Sequence, residues 1–257
     1  MNLRTLPVTV RRVGVDRSGK WLAAGWHDMW KAPGVSFAYG GAFVLASYAL
    51  TFGLIDLGYG SLVLPLAGGF LMLSPIFVVG LYEVSRRLES GQSVGLGEVC
   101  VFCMKNAGQV AAMGVVLLLF HFFWVVIAIF LFALFFSAAP PTLESFFQEV
   151  VFTISGAGFL LLGTLLGAFL AVGIFAITAV SIPMLLDRDV DVVTAIMTSL
   201  VAVRENWQVM VGWAALIGLV TAVGLASFYV GLIFALPTLG YATWHAYRDL
   251  IGAKPAA

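Results

Sequence analysis

A chain of 257 residues that is 61% hydrophobic and 10% charged, with a mean hydropathy of +1.05, is not an ordinary soluble domain, where about a quarter of residues carry charge. Thirteen Lys/Arg balance thirteen Asp/Glu, so no global field argues for nucleic acid or another strongly charged partner. Several apolar runs exceed the ~18 residues that a membrane span needs, which predicts an all-α, polytopic membrane protein of one domain.

Residues 1–17 contain Arg4, Arg11, Arg12 and Arg17 with little apolar periodicity, and are expected to be a loosely held cytoplasmic tail. Residues 1–34 carry six Lys/Arg and no apolar h-region, so no secretory signal is expected there. From Lys20 to Lys31 the pattern turns helical, with Ser18 the expected N-cap. Trp21, Leu22, Trp26, Met29 and Trp30 gather on one side, as suits a helix lying in the membrane interface, and Pro33-Gly34 ends it. Spans follow at about 35–55 and 61–82, with Pro65 and Pro75 as kinks. A second amphipathic segment covers 94–106, with Leu96, Val99, Cys100 and Cys103 on one face.

Span three is about 110–136 and span four about 152–182. Between them Pro140-Pro141 breaks the chain before a short outer helix at 142–150, where Ser145 and Gln148 fit a capping box. A third amphipathic helix, 191–205, shows Val192, Ile196, Ser199, Leu200 and Val203 on one face. The 41 residues from Trp207 to Tyr247 would stretch roughly 60 Å as one helix, twice a hydrocarbon core. They therefore divide, at a turn near Ala226-Ser227, into spans 207–225 and 228–247. The membrane domain is 18–252, with a cytoplasmic tail over 253–257.

The elements repeat. Pro75, Tyr82, Arg86 and Leu88 stand at the same spacing as Pro237, Trp244, Arg248 and Leu250, and a fainter copy starts at Pro183. Each copy closes a pair of spans. The expected architecture is six helices as three hairpins, each preceded by an amphipathic interfacial helix, in a pseudo-threefold repeat. With the amino terminus inside, the inner segments 1–34, 83–109, 183–206 and 248–257 hold six, three, two and two Lys/Arg, all thirteen. Only Asp56, Glu144 and Glu149 fall outside. The positive-inside rule asks for that bias, so both termini are expected in the cytoplasm.

The stretches Gly25-Trp26-His27-Asp28-Met29-Trp30-Lys31-Ala32-Pro33-Gly34 to Gly40 and Thr243-Trp244-His245-Ala246-Tyr247-Arg248-Asp249-Leu250 resemble the opening and closing signatures of a bacterial integral membrane family, domain of unknown function 2189. The resemblance spans roughly Lys20 to Gly252. It implies a six-span protein of the bacterial inner membrane and implies no activity, although some members carry the label of cytochrome oxidase components.

That label can be tested on ligands. A haem–copper core needs several intramembrane histidines. This chain has three, of which only His121 lies within a span, so an oxidase catalytic subunit is excluded and an accessory subunit is not. His121 is either a relay or ligand, or a neutral imidazole bonded to a Ser or Thr of a neighbouring helix. No acidic residue inside another span pairs with it, which favours the second reading.

Cys100-Val101-Phe102-Cys103 is a redox pair if a helix N-terminus lowers one thiol's pKa. The plainer reading puts two small sulfurs on the buried face of an amphipathic helix. Asp187, Asp189 and Asp191 offer carboxylates to a hard cation, or cap the following helix. Gly163 and Gly167 make a small-residue face for packing within the chain or between copies. Trp21, Trp26, Trp30, Arg86, Arg87, Trp244 and Arg248 are read as interfacial anchors that meet lipid headgroups.

No P-loop, dinucleotide fingerprint, nucleophile elbow or HExxH motif is present, so catalysis, cofactor and metal find no support. The sequence reads first as a non-catalytic inner-membrane protein acting through helix or lipid contacts, such as an accessory or assembly subunit. The alternatives are a transporter or channel for a small neutral or apolar solute and, weakest, a membrane redox protein.

Overall fold

The computed structural model describes residues 8–92, 94, 95, 97, 107–136, 145 and 147–252. Cys100, Cys103 and most of the amphipathic segment expected over 94–106 lie outside the described residues, as do residues 142–144 and 146 of the short outer helix expected over 142–150, whose later part is a π-helical turn, Phe147–Val151. Among the described residues the chain is all-α, with no strand. The helices are α1 (Arg17–Lys31), α2 (Pro33–Asp56), α3 (Val63–Phe77), α4 (Val79–Glu89), α5 (Ala107–Phe136), α6 (Ile154–Thr178), α7 (Ser181–Asp187), α8 (Val192–Glu205), α9 (Trp207–Ala226) and α10 (Leu232–Ile251).

Among the described residues five stretches are long and apolar enough to cross a membrane: Pro33–Asp56, Pro65–Glu89, Ala107–Phe136, Ile154–Asp187 and Trp207–Ala226. The sixth expected span corresponds to α10, which does not meet that measure of apolarity. Its last turns carry His245, Arg248 and Asp249, and most of its residues are buried by neighbouring helices. A helix sheathed by protein does not have to be apolar all round.

Prolines set the breaks. Pro33 follows α1 after the single residue Ala32 and, having no N–H, leaves the Met29 carbonyl without its helical donor. The Ser36 hydroxyl supplies one, donating to Met29 O (3.1 Å) and Ala32 O (2.8 Å) while pairing with the Tyr241 hydroxyl (2.9 Å). Pro75 sits inside α3, which stops at Phe77 before α4 begins at Val79. Between α6 and α7, Ser199 from α8 accepts from Val180 N–H (3.2 Å) and donates to Ala176 O (2.7 Å). The turn from α9 to α10 holds Phe228 and Tyr229 at positive φ, 54° and 67°.

Contacts divide the chain into two units. One comprises Met1–Val44, Pro75–Gly114 and Phe175–Ala257, and the other Leu45–Ser74 and Val115–Ile174. The first contains every Lys and Arg, and we call it the charged unit; the second contains only Asp56, Glu144 and Glu149 as charged residues.

Within the charged unit α10 is the axis. α1 runs antiparallel along it: Arg17 and Trp21 meet Asp249, and Gly25 lies against Thr238 and Ala242. A Cβ on Gly25 would fall 2.4 Å from Thr238 O, and one on Gly40 of α2 would fall 2.4 Å from Ile233 O. The latter is the carbonyl that Pro237 leaves without its helical donor. Ala32 and Pro33 thus join α1 to α2, and both pack against α10. α1 begins at Arg17 with Asp16 as N-cap, two residues before the expected Ser18.

The buried faces of α1 and α8 are not their apolar stripes. α1 buries Trp21, Gly25, Asp28 and Met29 while Trp26 and Trp30 stay exposed, and α8 buries Ala195, Thr198, Ser199 and Ala202 while Leu200 is exposed. In a chain bathed by lipid the apolar stripe need not face inward, because small and polar residues pack between helices.

The apolar unit is held by rings. Trp124 of α5 donates to Pro65 O (2.6 Å) and lies against Gly167 of α6, whose added Cβ would be 3.1 Å from the indole. Phe132 and Phe159 stack at 4.8 Å between centroids. Thr153 caps α6 by accepting from Gly156 N–H (2.9 Å). Outside these contacts Leu119, Phe122 and Phe130 of α5 and Leu161, Leu165 and Phe169 of α6 are exposed.

Candidate functional site

The polar side chains of the charged unit converge around α10. Asp28 of α1, 5% exposed, accepts at Oδ2 from the Ser85 hydroxyl of α4 (2.7 Å) and pairs there with His245 Nε2 of α10 (2.8 Å). Two residues before Ser85 on α4, the fully buried Glu83 takes Arg86 at Oε2 (2.5 Å) and Arg87 at Oε1 (2.7 Å). Asp187 accepts from the Tyr247 hydroxyl (2.7 Å), whose oxygen accepts from Arg188 (3.1 Å). Arg188 also donates to Gly252 O (3.0 Å), and Arg248 pairs with Glu89 (3.1 Å).

Three residues with a catalytic reputation thus meet, but not in catalytic order. A serine nucleophile needs its proton aimed at the imidazole. Here both Ser85 and His245 address the same carboxylate oxygen. Asp28 therefore acts as a pin between α1, α4 and α10.

The amino-terminal segment, expected to be loose, is fastened over its described part. Arg11 N–H donates to Leu250 O (2.7 Å), Val13 N–H to Asn206 Oδ1 (2.9 Å), and Arg12 pairs with Glu205 (2.6 Å). Asn206 donates back to Arg11 O (3.0 Å). Where the first turn of α1 meets the last turn of α10 there is an open cleft of about 380 Å³, lined by Arg17, Lys20, Trp21, Ala24, His245, Arg248 and Asp249. Asp249 accepts from Arg17 Nε (2.6 Å) and Trp21 Nε1 (2.9 Å), and that bond raises the Arg17 pKa above its ordinary value.

The residues singled out from the sequence scatter. Trp21 and Trp244 are 2% and 1% exposed, so neither can serve as an interfacial anchor. Trp21 meets Trp213 edge-on at 5.8 Å, and Trp244 packs on Tyr247 with Arg248 5.7 Å from its ring. Trp26 and Trp30 are exposed and continue through Phe37 to Phe234 as a strip of edge-to-face rings. Arg86, Arg87 and Arg248 are engaged by Glu83 and Glu89.

His121 lies against Gly69, and its buried Nδ1 has no hydrogen-bond partner among the described residues, so the expected Ser or Thr partner is not found at that atom. Gly163 approaches Leu131 and Gly167 holds Trp124, both within the chain. Asp191 caps α8 through Thr194 N–H (2.9 Å), which lowers its pKa, whereas Asp187 belongs to the Tyr247 cluster. No group of three potential metal-ligating side chains occurs among the described residues.

Asp28, Ser85 and His245 were missed as a set. A signal existed: Trp21, Gly25, Asp28 and Met29 stand at i, i+4, i+7 and i+8, a helical face as regular as the tryptophan face chosen instead.

Long apolar helices, paired polar groups between them and apolar side chains on the outer faces define a polytopic integral membrane protein. More particularly, residues 63–187 match the model of DUF2189, described as a predicted integral membrane protein, so over that stretch the chain is similar to this family. The two signatures that resembled the family lie outside the matched residues. No curated protein and no solved structure matches the chain.

Proposed function

We propose that this is a six-span, non-catalytic protein of the bacterial inner membrane, with both termini in the cytoplasm, acting through helix and lipid contacts as an accessory or assembly subunit. The observation that carries the reading is the Ser85–Asp28–His245 arrangement: the groups best suited to acid–base work are bonded as cross-links between helices. The exposed apolar faces of α5 and α6 supply surface for lipid or for a neighbouring helix.

The sixth span is α10, whose 20 residues would cover about 30 Å. The three-hairpin repeat draws support from the meeting of α4, α7 and α10, the ends of the three proline-led segments, in the charged unit. All thirteen cations on one side support the orientation.

Two measurements test this. A carboxy-terminal tag should be shielded from protease on intact cells and cut after lysis; cleavage on intact cells overturns the six-span topology. Affinity purification of the full chain in mild detergent should bring down other membrane subunits in fixed ratio, and a lone monomer overturns the assembly role.

A second reading, a transporter for a small neutral solute, draws on the proline-linked breaks at Val78 and at Ala179-Val180, each inside an otherwise continuous span. Solute flux in proteoliposomes that disappears in His121→Leu would favour it.

A further inference from the structure

The cleft between the first turn of α1 and the last turn of α10 has a composition that the helix cross-links do not explain. Its wall carries Arg17, Lys20 and Arg248 with His245, against the single carboxylate of Asp249. One carboxylate with three cations is the wrong donor set for a metal ion and the right one for an anion. The carboxylates that pair with Lys20 and Arg248, Asp16 and Glu89, are not part of the wall.

Arg17 engages Asp249 through Nε, which leaves its two terminal amino groups as donors in the planar geometry that suits a phosphate. His245 holds Asp28 through Nε2, so Nδ1 is the ring atom left for the cleft. A volume of about 380 Å³ falls in the range of small-molecule sites, ~300–1,000 Å³. It therefore accommodates a phosphate together with the group esterified to it.

We propose that this cleft binds a phosphate group, with Arg17 and Lys20 as its chief donors. Two sources supply that chemistry, the headgroup of an anionic phospholipid and a free phosphate in the cytoplasm. The wall stands on its own geometry, and only the lipid source depends on the membrane orientation proposed above.

The test uses the full chain in a neutral detergent. Inorganic phosphate, short-chain phosphatidylglycerol and short-chain phosphatidylcholine are each titrated by calorimetry. Saturable phosphatidylglycerol binding that phosphatidylcholine does not reproduce supports a lipid phosphate. Saturable binding of inorganic phosphate supports the free source, and it remains if the topology test above fails.

Lys20→Gln should weaken whichever ligand binds by tenfold or more, and Lys20→Arg should restore most of it. Lys20 is exposed and its ion pair with Asp16 is at the surface, so its melting temperature should not move; Arg17→Gln is the companion variant, read only if it still folds. Binding of neither ligand, or binding that Lys20→Gln leaves unchanged, overturns the proposal.

Discussion

Glycine does opposite work in the two units. In the charged unit Gly25 and Gly40 bring backbone against backbone, so that α1 and α2 touch the carbonyls of α10 directly. In the apolar unit Gly69 and Gly167 make room for side chains, the His121 and Trp124 rings. The chemistry around them differs in the same sense. The charged unit is tied by bonds between residues far apart in sequence, such as Arg12 to Glu205 and Asp28 to His245. The apolar unit is filled by interlocked rings with a single indole–carbonyl bond at Trp124. Directional bonds tolerate little change in residue identity, whereas packing tolerates swaps that keep volume.

The largest expected difference lies between two histidine neighbourhoods. Asp28→Ala leaves Ser85 and His245 without their shared acceptor in a buried site, and should cost about 3–5 kcal/mol. His121→Leu removes an imidazole whose Nδ1 has no partner among the described residues, so it should be neutral or mildly stabilising. Thermal unfolding of both variants in the same detergent reads the contrast. Equal losses would mean that the two units are held by the same kind of contact.

Next come the glycines. In Gly25→Ala the new methyl meets the Thr238 carbonyl and the Ala242 amide, and only a backbone shift relieves that, at about 1–3 kcal/mol. In Gly167→Ala it meets the far edge of the Trp124 ring at 3.1 Å, which can give by a few tenths of an ångström. The second loss should be clearly smaller in the same melting experiment. A third, smaller change is expected to stabilise: Phe228→Gly relieves a left-handed backbone at φ 54° and should gain about 1 kcal/mol, seen as a raised midpoint.

How much of this was legible follows from what lipid does to patterns. Helices were readable because apolar runs of span length have few other uses, and α9 does end at Ala226 because one helix cannot be 41 residues long in a ~30 Å core. The inward faces were not readable. The apolar stripes of α1 and α8 do not mark the sides that pack: Trp26 and Leu200 are exposed, whereas Asp28 and Ser199 are buried. Trp21 and Trp244 were misplaced for a related cause: a tryptophan near a span end suits an interface or a core equally, and only the partner decides. For Trp21 that partner is Asp249, 228 positions away. The Asp191 cap was legible because capping is local and needs no knowledge of the fold.

That cap gives the smallest and most specific contrast. The charged unit begins α8 with a carboxylate, Asp191, and the apolar unit begins α6 with a hydroxyl, Thr153. Each should contribute about 1 kcal/mol or less, since both ends are exposed. Only one of them titrates. The Thr194 N–H lowers the Asp191 pKa in the folded chain, so its contribution is complete above the unfolded value of about 3.9 and is lost as pH falls through the lower folded value. The melting difference between wild type and Asp191→Ala should therefore shrink in acid, while the difference for Thr153→Ala stays level across the same range. Asp191→Asn, which caps without titrating, should behave like the threonine; if its advantage over Asp191→Ala also faded in acid, the loss would belong to the rest of the charged unit and not to this carboxylate.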